Sequence, residues 1–317
     1  MFVNTSRFKF NIFKSNFSSY IRLMRLNKPL PMLLLLWPTC WALLLSSNQG
    51  DILNLKNWCV FIFGIIISRT LGCVINDLFD KNIDANVFRT KNRPLASGEI
   101  KTKKAIFLII ILCFLDLFCA LNLDLYAFLL SFVALALMIF YPLSKRFFPC
   151  PQLILGSAFN WGIIMAYAQV QNQVPLDAWI LYFIATCWTI SYDTIYALSD
   201  LFDDVRLKIN SSARLFGNNL IICVAFFEFL MLLGLLVLGF QHGGSLAYGI
   251  ILFACGLWMM MQLYFLNLYI QKNISHDQAY ISNITYKNRV KYFISEFQKH
   301  HWIGLSIFLA FCILKFY

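Results

Sequence analysis

Apolar stretches of close to 20 residues recur from Pro29 to the C-terminal end of the chain, each long enough to cross ~30 Å of hydrocarbon as a helix. A soluble core has no room for so many, so the pattern predicts an all-α, polytopic membrane bundle. Composition agrees: 60% of the 317 residues are hydrophobic and 13% charged, against roughly 45–50% and about 25% in soluble domains. Soluble two-domain architectures, secreted disulfide scaffolds and disordered tails are thereby excluded. Of ten cysteines, most lie inside the apolar runs without a C-x-x-C pair, and they read as small hydrophobes.

The runs place nine spans, at 29–46, 58–76, 105–121, 125–141, 152–170, 178–198, 219–240, 246–268 and 301–316. Basic residues fall in alternate connections: Arg7, Lys9, Lys14, Arg22, Arg25 and Lys28, then 81–104, then Lys145 and Arg146, then 206–214, then 272–299. The positive-inside rule puts these on the cytoplasmic or matrix face and the C-terminus on the other. The net charge of +11 is therefore a topology signal, with no nucleic-acid partner expected because no binding motif accompanies it. Residues 1–28 form a basic tail without an acid, which predicts the cytoplasmic tail of a bacterial inner-membrane protein ahead of a mitochondrial one. Residues 29–317 form one transmembrane domain, with a polar insertion near 271–286.

Only fifteen residues are acidic, and seven of them stand in two stretches beside spans: Asp77, Asp80 and Asp84, then Asp193, Asp200, Asp203 and Asp204. Charge placed next to hydrocarbon needs a reason. Helical spacing aligns Asn76, Asp80 and Asp84 on one face, and Tyr192, Tyr196, Asp200 and Asp204 on another. Both ladders end even-numbered spans and leave toward the basic face, so they can meet across one cavity. Facing carboxylates repel unless cations lie between them, and hard oxygen donors with room for water suit Mg²⁺ bridging to a substrate phosphate. Arg89, Arg93 and the lysines from Lys101 to Lys104 follow directly and can hold diphosphate oxygens. An isolated acid at a span end is an ordinary interface residue; paired ladders describe a metal-diphosphate site beneath which an apolar bundle can take a hydrocarbon tail. Arg69, Asp116 and Glu228, inside spans, are read as either buried polar contacts or cavity groups.

The segment from Gly72-Cys73-Val74-Ile75-Asn76-Asp77 to Arg93-Pro94-Leu95-Ala96-Ser97-Gly98, with Tyr192-Asp193-Thr194-Ile195-Tyr196-Ala197 through Asp204, resembles the UbiA-type intramembrane prenyltransferases. Tyr141-Pro142 with Lys145-Arg146, Pro151-Gln152 and Leu215-Phe216-Gly217 extend the likeness over most of the chain. The resemblance implies nine helices around a lateral, lipid-open cavity. It also implies transfer of a polyprenyl chain from its diphosphate to the ring carbon ortho to the hydroxyl of 4-hydroxybenzoate, an early membrane step of ubiquinone synthesis.

On that likeness Asn76, Asp80, Asp84, Asp200 and Asp204 match the positions that hold Mg²⁺ and diphosphate, with Asp77 and Asp203 in support. Arg25, Arg89, Arg93 and Lys208 are implied diphosphate partners. Arg146 is the candidate for the acceptor carboxylate, and Asp193 with Tyr196 for catalysis near the phenol. Phe202 departs from the pattern, since close relatives carry Asp there. Two readings stand beside this one: the same chemistry on a dihydroxynaphthoate, homogentisate or porphyrin acceptor, and an ion-coupled transporter, which expects mid-membrane acids and internal repeats.

Overall fold

The computed structural model describes residues 17–48, 54–273 and 283–316. Arg7, Lys9 and Lys14 of the basic tail and residues 274–282 of the polar insertion lie outside them. Residues 17–23 form α1. Leu30–Ser46 (α2), Leu55–Phe79 (α3), Lys81–Asp84 (α4), Thr102–Ala120 (α5), Leu125–Ser144 (α6), Pro151–Gln171 (α7) and Leu176–Ala197 (α8) follow. Leu201–Leu207 (α9), Ser212–Phe216 (α10), Leu220–Gln241 (α11), Leu246–Asn273 (α12) and Asn283–Phe316 (α13) complete the order. No strand occurs among the described residues.

Local chemistry marks the helix starts. Pro31 stands in the first turn of α2 and Pro151 opens α7, where a missing N–H costs nothing. The Asn54 side chain accepts the Asn57 N–H at 3.4 Å to cap α3. Asn172 ends α7 in the left-handed region at φ 52°.

Nine described helices have 17 residues or more, and six are long and apolar enough by length and composition to cross a membrane. Of the other three, α2 is an apolar helix of 17 residues, α5 carries Lys103, Lys104 and Asp116, and α8 carries Asp177 and Asp193. Multiple apolar helices of this kind define an integral, multi-pass membrane protein.

The densest packing surrounds α8. Trp188 meets Trp41 of α2 with centroids 5.2 Å apart and Tyr192 at 5.1 Å, and Trp41 Nε1 donates to Gly304 O of α13 at 3.1 Å. Gly304 is what permits this approach: a Cβ there would lie 2.3 Å from Trp37 Cδ1 and 2.8 Å from Trp188. A separate cluster joins Leu23 of α1, Leu71, Val74 and Ile75 of α3, Leu95, Ile100, and Ala105 and Leu112 of α5. It seats the N-terminal segment and the loop after the first acidic ladder against α3.

Two elements differ from the sequence expectation. The last helix begins at Asn283, not near residue 301, because helical hydrogen bonding continues past the end of the apolar run; its polar extension buries Arg289, Phe293, Glu296, Phe297 and His300. The second ladder is not one continuous helix. It breaks at Asp200, whose φ, ψ are −113°, 0°, and resumes in α9, where Asp204 N donates to Asp200 O at 2.9 Å. The first ladder is interrupted in the same way at Asp80, φ, ψ −89°, 3°, between α3 and α4, although Asp80 N to Asn76 O at 2.9 Å and Asp84 N to Asp80 O at 2.7 Å keep its four-residue spacing.

Candidate active site

One cavity of about 650 Å³ opens beside the ends of α3 and α8. Asn76, Asp77, Asp80, Asp84, Asp193, Tyr196, Asp200 and Asp204 all line it, as do Arg25, Arg89 and Arg93. The two ladders thus share one chamber, as their register requires. Away from this end the wall is mostly apolar, with Phe61, Ile65, Gly72, Leu117, Leu135 and Met138 from α3, α5 and α6, and Asp116 of α5 also lines it, accepting from Ser68 Oγ at 2.6 Å.

Within the chamber Asp77, Asp84 and Asp200 are paired with arginines. Asp77 Oδ1 accepts from Arg25 Nη2 at 2.5 Å and Arg93 Nη1 at 3.0 Å, and the same Arg93 nitrogen reaches Asp84 Oδ2 at 2.7 Å. Arg89 forms a two-point pair with Asp200, its Nε donating to Oδ1 at 2.7 Å and its Nη2 to Oδ2, and stands 5.0 Å over the Tyr196 ring. Such forks are the geometry guanidinium groups also offer to phosphate. Arg25 takes a left-handed backbone, φ 53°, held by Arg69, which donates to Arg25 O at 3.0 Å and to Lys28 O at 3.3 Å. Arg69 is therefore the brace of the N-terminal segment.

Charge is crowded here. Burial opposes ionisation of Arg89, yet Tyr196 and Asp200 hold its guanidinium well above the ordinary value. Burial pushes the Asp84 carboxyl up against the pull of Arg93, and burial with Asp200 alongside pushes Asp204 up to about 7. At the same mouth Lys28 is pushed down, first by burial and then by Arg89, Arg25 and Arg93. A concentration of cations that depresses one of its own members is a ready anion site.

The donor chemistry also fits a hard cation. Asp80 Oδ1 is buried and accepts no hydrogen bond, although buried carboxylate oxygens are rarely left so. Asn76, Asp84, Asp200 and Asp204 add only oxygen donors around the same chamber, the ligand set Mg²⁺ takes. No three Asp, Glu, His or Cys side chains among the described residues already converge on one point, so a bridging phosphate is part of that fit.

Three expected site residues lie elsewhere. Asp203 does not line the cavity; its Oδ2 accepts from Phe88 N and from the Tyr286 hydroxyl, both at 3.0 Å, and its Oδ1 from Arg206 at 2.8 Å. Arg146 is outside the lining, its Nη2 donating to Phe79 O at 3.0 Å. Lys208 is outside as well, ending α9 at φ 55°. The cation that does enter is Lys145, whose Nζ bridges Asn76 Oδ1 at 2.9 Å and Asp80 Oδ2 at 2.7 Å and lies 4.8 Å from the Tyr141 ring. Burial opposes its charge, but Tyr141 and Asp80 raise its ammonium above the ordinary value. Sequence reasoning named Lys145, Tyr141 and Gln152 without giving them a place in the site; the four-residue spacing of Tyr141 and Lys145 was the available signal. Gln152, on the cavity wall with Asp193, accepts from Ser212 N at 2.8 Å, which ties α7 to α10.

The fold and site define a multi-pass membrane protein with an acid- and cation-lined cavity reaching into an apolar interior. The chain belongs to the UbiA prenyltransferase family, whose family model matches residues 35–284. It is 43% identical over 296 residues to a protein named 4-hydroxybenzoate octaprenyltransferase from Francisella tularensis subsp. novicida, covering 93% of this chain and 97% of that one. A protein of the same name from Neisseria meningitidis is 46% identical over 233 residues, 72% of this chain and 77% of the relative. Among solved structures, a UbiA homolog from Aeropyrum pernix aligns with a TM-score of 0.69 at 20% identity over 89% of this chain and 97% of that one. A homolog from Archaeoglobus fulgidus bound to GPP and Mg²⁺ aligns at 0.62 and 16% identity over 91% and 99%. These structural likenesses establish the shared fold.

Proposed function

We propose that this protein is an Mg²⁺-dependent prenyltransferase that moves a polyprenyl chain from its diphosphate to the carbon ortho to the hydroxyl of 4-hydroxybenzoate. In this reading nine helices cross a bacterial inner membrane as one domain, the cavity opens laterally to lipid, and the basic loops are cytoplasmic. The carrying observation is the single cavity that joins Asn76, Asp80, Asp84, Asp200 and Asp204 with Arg25, Arg89, Arg93 and Lys145 at one end and apolar walls at the other. An amphiphilic diphosphate needs both ends. The names of the two bacterial relatives support the acceptor, and the homolog bound to GPP and Mg²⁺ supports the donor and metal.

When bound, Mg²⁺ supplies charge neutralisation to the departing diphosphate. Asn76, Asp80, Asp84, Asp200 and Asp204 would hold it, with Asp77 keeping Arg25 and Arg93 in place. Arg89 and Arg93 turn from carboxylate to phosphate oxygens, which draws the electron pair of the breaking C–O bond onto diphosphate. Tyr196, whose face already carries the Arg89 guanidinium, borders the allylic carbon as positive charge builds there. The apolar wall keeps water from that carbon. The phenol ring then forms the new C–C bond, and Asp193 accepts the proton that the ring carbon loses. Arg146, which donates to Phe79 O outside the cavity, takes no part in this reading.

Membranes containing the protein, given 4-hydroxybenzoate, octaprenyl diphosphate and Mg²⁺, should yield prenylated hydroxybenzoate, and EDTA should abolish it. Product from a dihydroxynaphthoate or porphyrin in its place would overturn the acceptor; no product from any of them would overturn prenyl transfer.

A further inference from the structure

The polar start of α13 is tied to both acid-bearing loops at once. Tyr286 donates its hydroxyl to Asp203 Oδ2 at 3.0 Å, and its ring meets Phe88 edge-on with centroids 4.7 Å apart. The same Asp203 oxygen accepts Phe88 N at 3.0 Å, and Arg206, paired with Asp203 Oδ1 at 2.8 Å, also donates to Asn86 O at 2.5 Å. One buried carboxylate on α9 thus fastens residues 86–88, and the next residue is Arg89, which pairs with Asp200 inside the cavity.

Arg289 lies one turn further along α13 and is 2% exposed. Its guanidinium sits 3.7 Å over the Phe202 ring and 5.4 Å from the Tyr286 ring, and its Nε and Nη2 have no hydrogen-bond partner. Positive charge in such a place is costly unless a nearby negative group repays it. Asp203 attracts it electrostatically, and stacking on Phe202 and Tyr286 lowers the cost further. None of Asp203, Tyr286, Phe202 and Arg289 lines the cavity, so they act on it indirectly, and the hydrogen bond from Phe88 N to Asp203 leads straight to Arg89.

We propose that Tyr286 and Arg289 are positioning residues, forming with Asp203 a strap that clamps the Phe88 backbone and thereby sets Arg89 for diphosphate. The proposal rests on the diphosphate reading of the cavity. The strap acts on the donor end: it touches the loop that carries Arg89 and no residue near Asp193. Losing the Tyr286 hydroxyl leaves the ring on Phe88 but frees one of the bonds that orient Asp203. Its effect is therefore on affinity for diphosphate, with the chemistry after binding little changed.

The test uses the purified full chain. Tyr286→Phe should speed hydrogen exchange of the Phe88 amide, weaken binding of inorganic diphosphate with Mg²⁺ by about three- to tenfold, and raise KM for the prenyl diphosphate to a similar extent. The acceptor KM and kcat should stay within about twofold. Asp203→Asn should show the same pattern more strongly, and Tyr292→Phe, on the same helix where its ring stacks on Tyr269 at 3.7 Å, should show none of it. Unchanged Phe88 exchange in Tyr286→Phe overturns the strap, and faster exchange with unaltered diphosphate affinity overturns its positioning role. If the unmodified protein binds diphosphate yet prenylates no acceptor, the transfer reading fails while exchange and binding still decide the strap.

Discussion

Helices α6 and α8 are of similar length and would both be read as spans, yet they have opposite fates. The strongly apolar α6 buries only Ala127, Pro142 and Ser144, whereas α8 buries most of its length, including Thr186, Thr189, Ser191, Asp193 and Thr194. In water the more apolar helix would be the inner one. In lipid, apolar side chains gain nothing by leaving the solvent, so small and hydroxyl-bearing residues that pack closely and hydrogen-bond take the centre. The α3–α5–α6 side therefore forms the cavity wall, and the α2–α7–α8–α13 side forms the frame. The acids stand where the two sides meet, Asp80 from the wall and Asp200 from the frame.

If both sides contribute to one metal-diphosphate site, Asp80→Ala and Asp200→Ala should each lower prenyl transfer by roughly 10²- to 10³-fold or more in protein of normal thermal stability. Activity surviving in either variant would assign the chemistry to one side alone. The frame should resist even a single added carbon: Gly304→Ala, pressed on Trp37 and Trp188, is expected to cost about 1–3 kcal/mol, read as a lower Tm of the detergent-solubilised protein. A polar contact in the frame should matter less. Ser191 Oγ donates to Glu228 at 2.8 Å, and Ser191→Ala should cost about 1 kcal/mol by the same measurement. At the opposite extreme, a Cβ on Gly249 of α12 would meet nothing within 4 Å, so Gly249→Ala should stay within about 0.5 kcal/mol. A Gly249 effect as large as that of Gly304 would erase the distinction between the frame and open positions.

Much of the site could be read along the chain because its information is periodic and local. Asn76, Asp80 and Asp84 recur every fourth residue and do line one chamber, and Arg89 and Arg93 follow closely enough to fold back onto Asp200 and onto Asp77 and Asp84. Asp203 was beyond such reading, since its neighbours Asp200 and Asp204 face the cavity while it turns to Phe88 and Tyr286. Lys145 and Arg146 show the same limit. Adjacent residues on a helix end point about 100° apart, and only the placement of α6 against α3 shows that Lys145 enters.

Apolar run length, the alternation of basic loops and the spacing of acids by themselves determined a helical membrane bundle with an acidic, cation-rich mouth, because each depends on the bilayer's thickness and the helix's pitch. Which helices form the frame, which of two neighbouring charges faces the chamber, and where α13 begins were decided only by the tertiary structure. Those outcomes depend on side chains brought together from distant parts of the chain, such as Trp188 with Gly304 and Asp203 with Tyr286, and no local period records them.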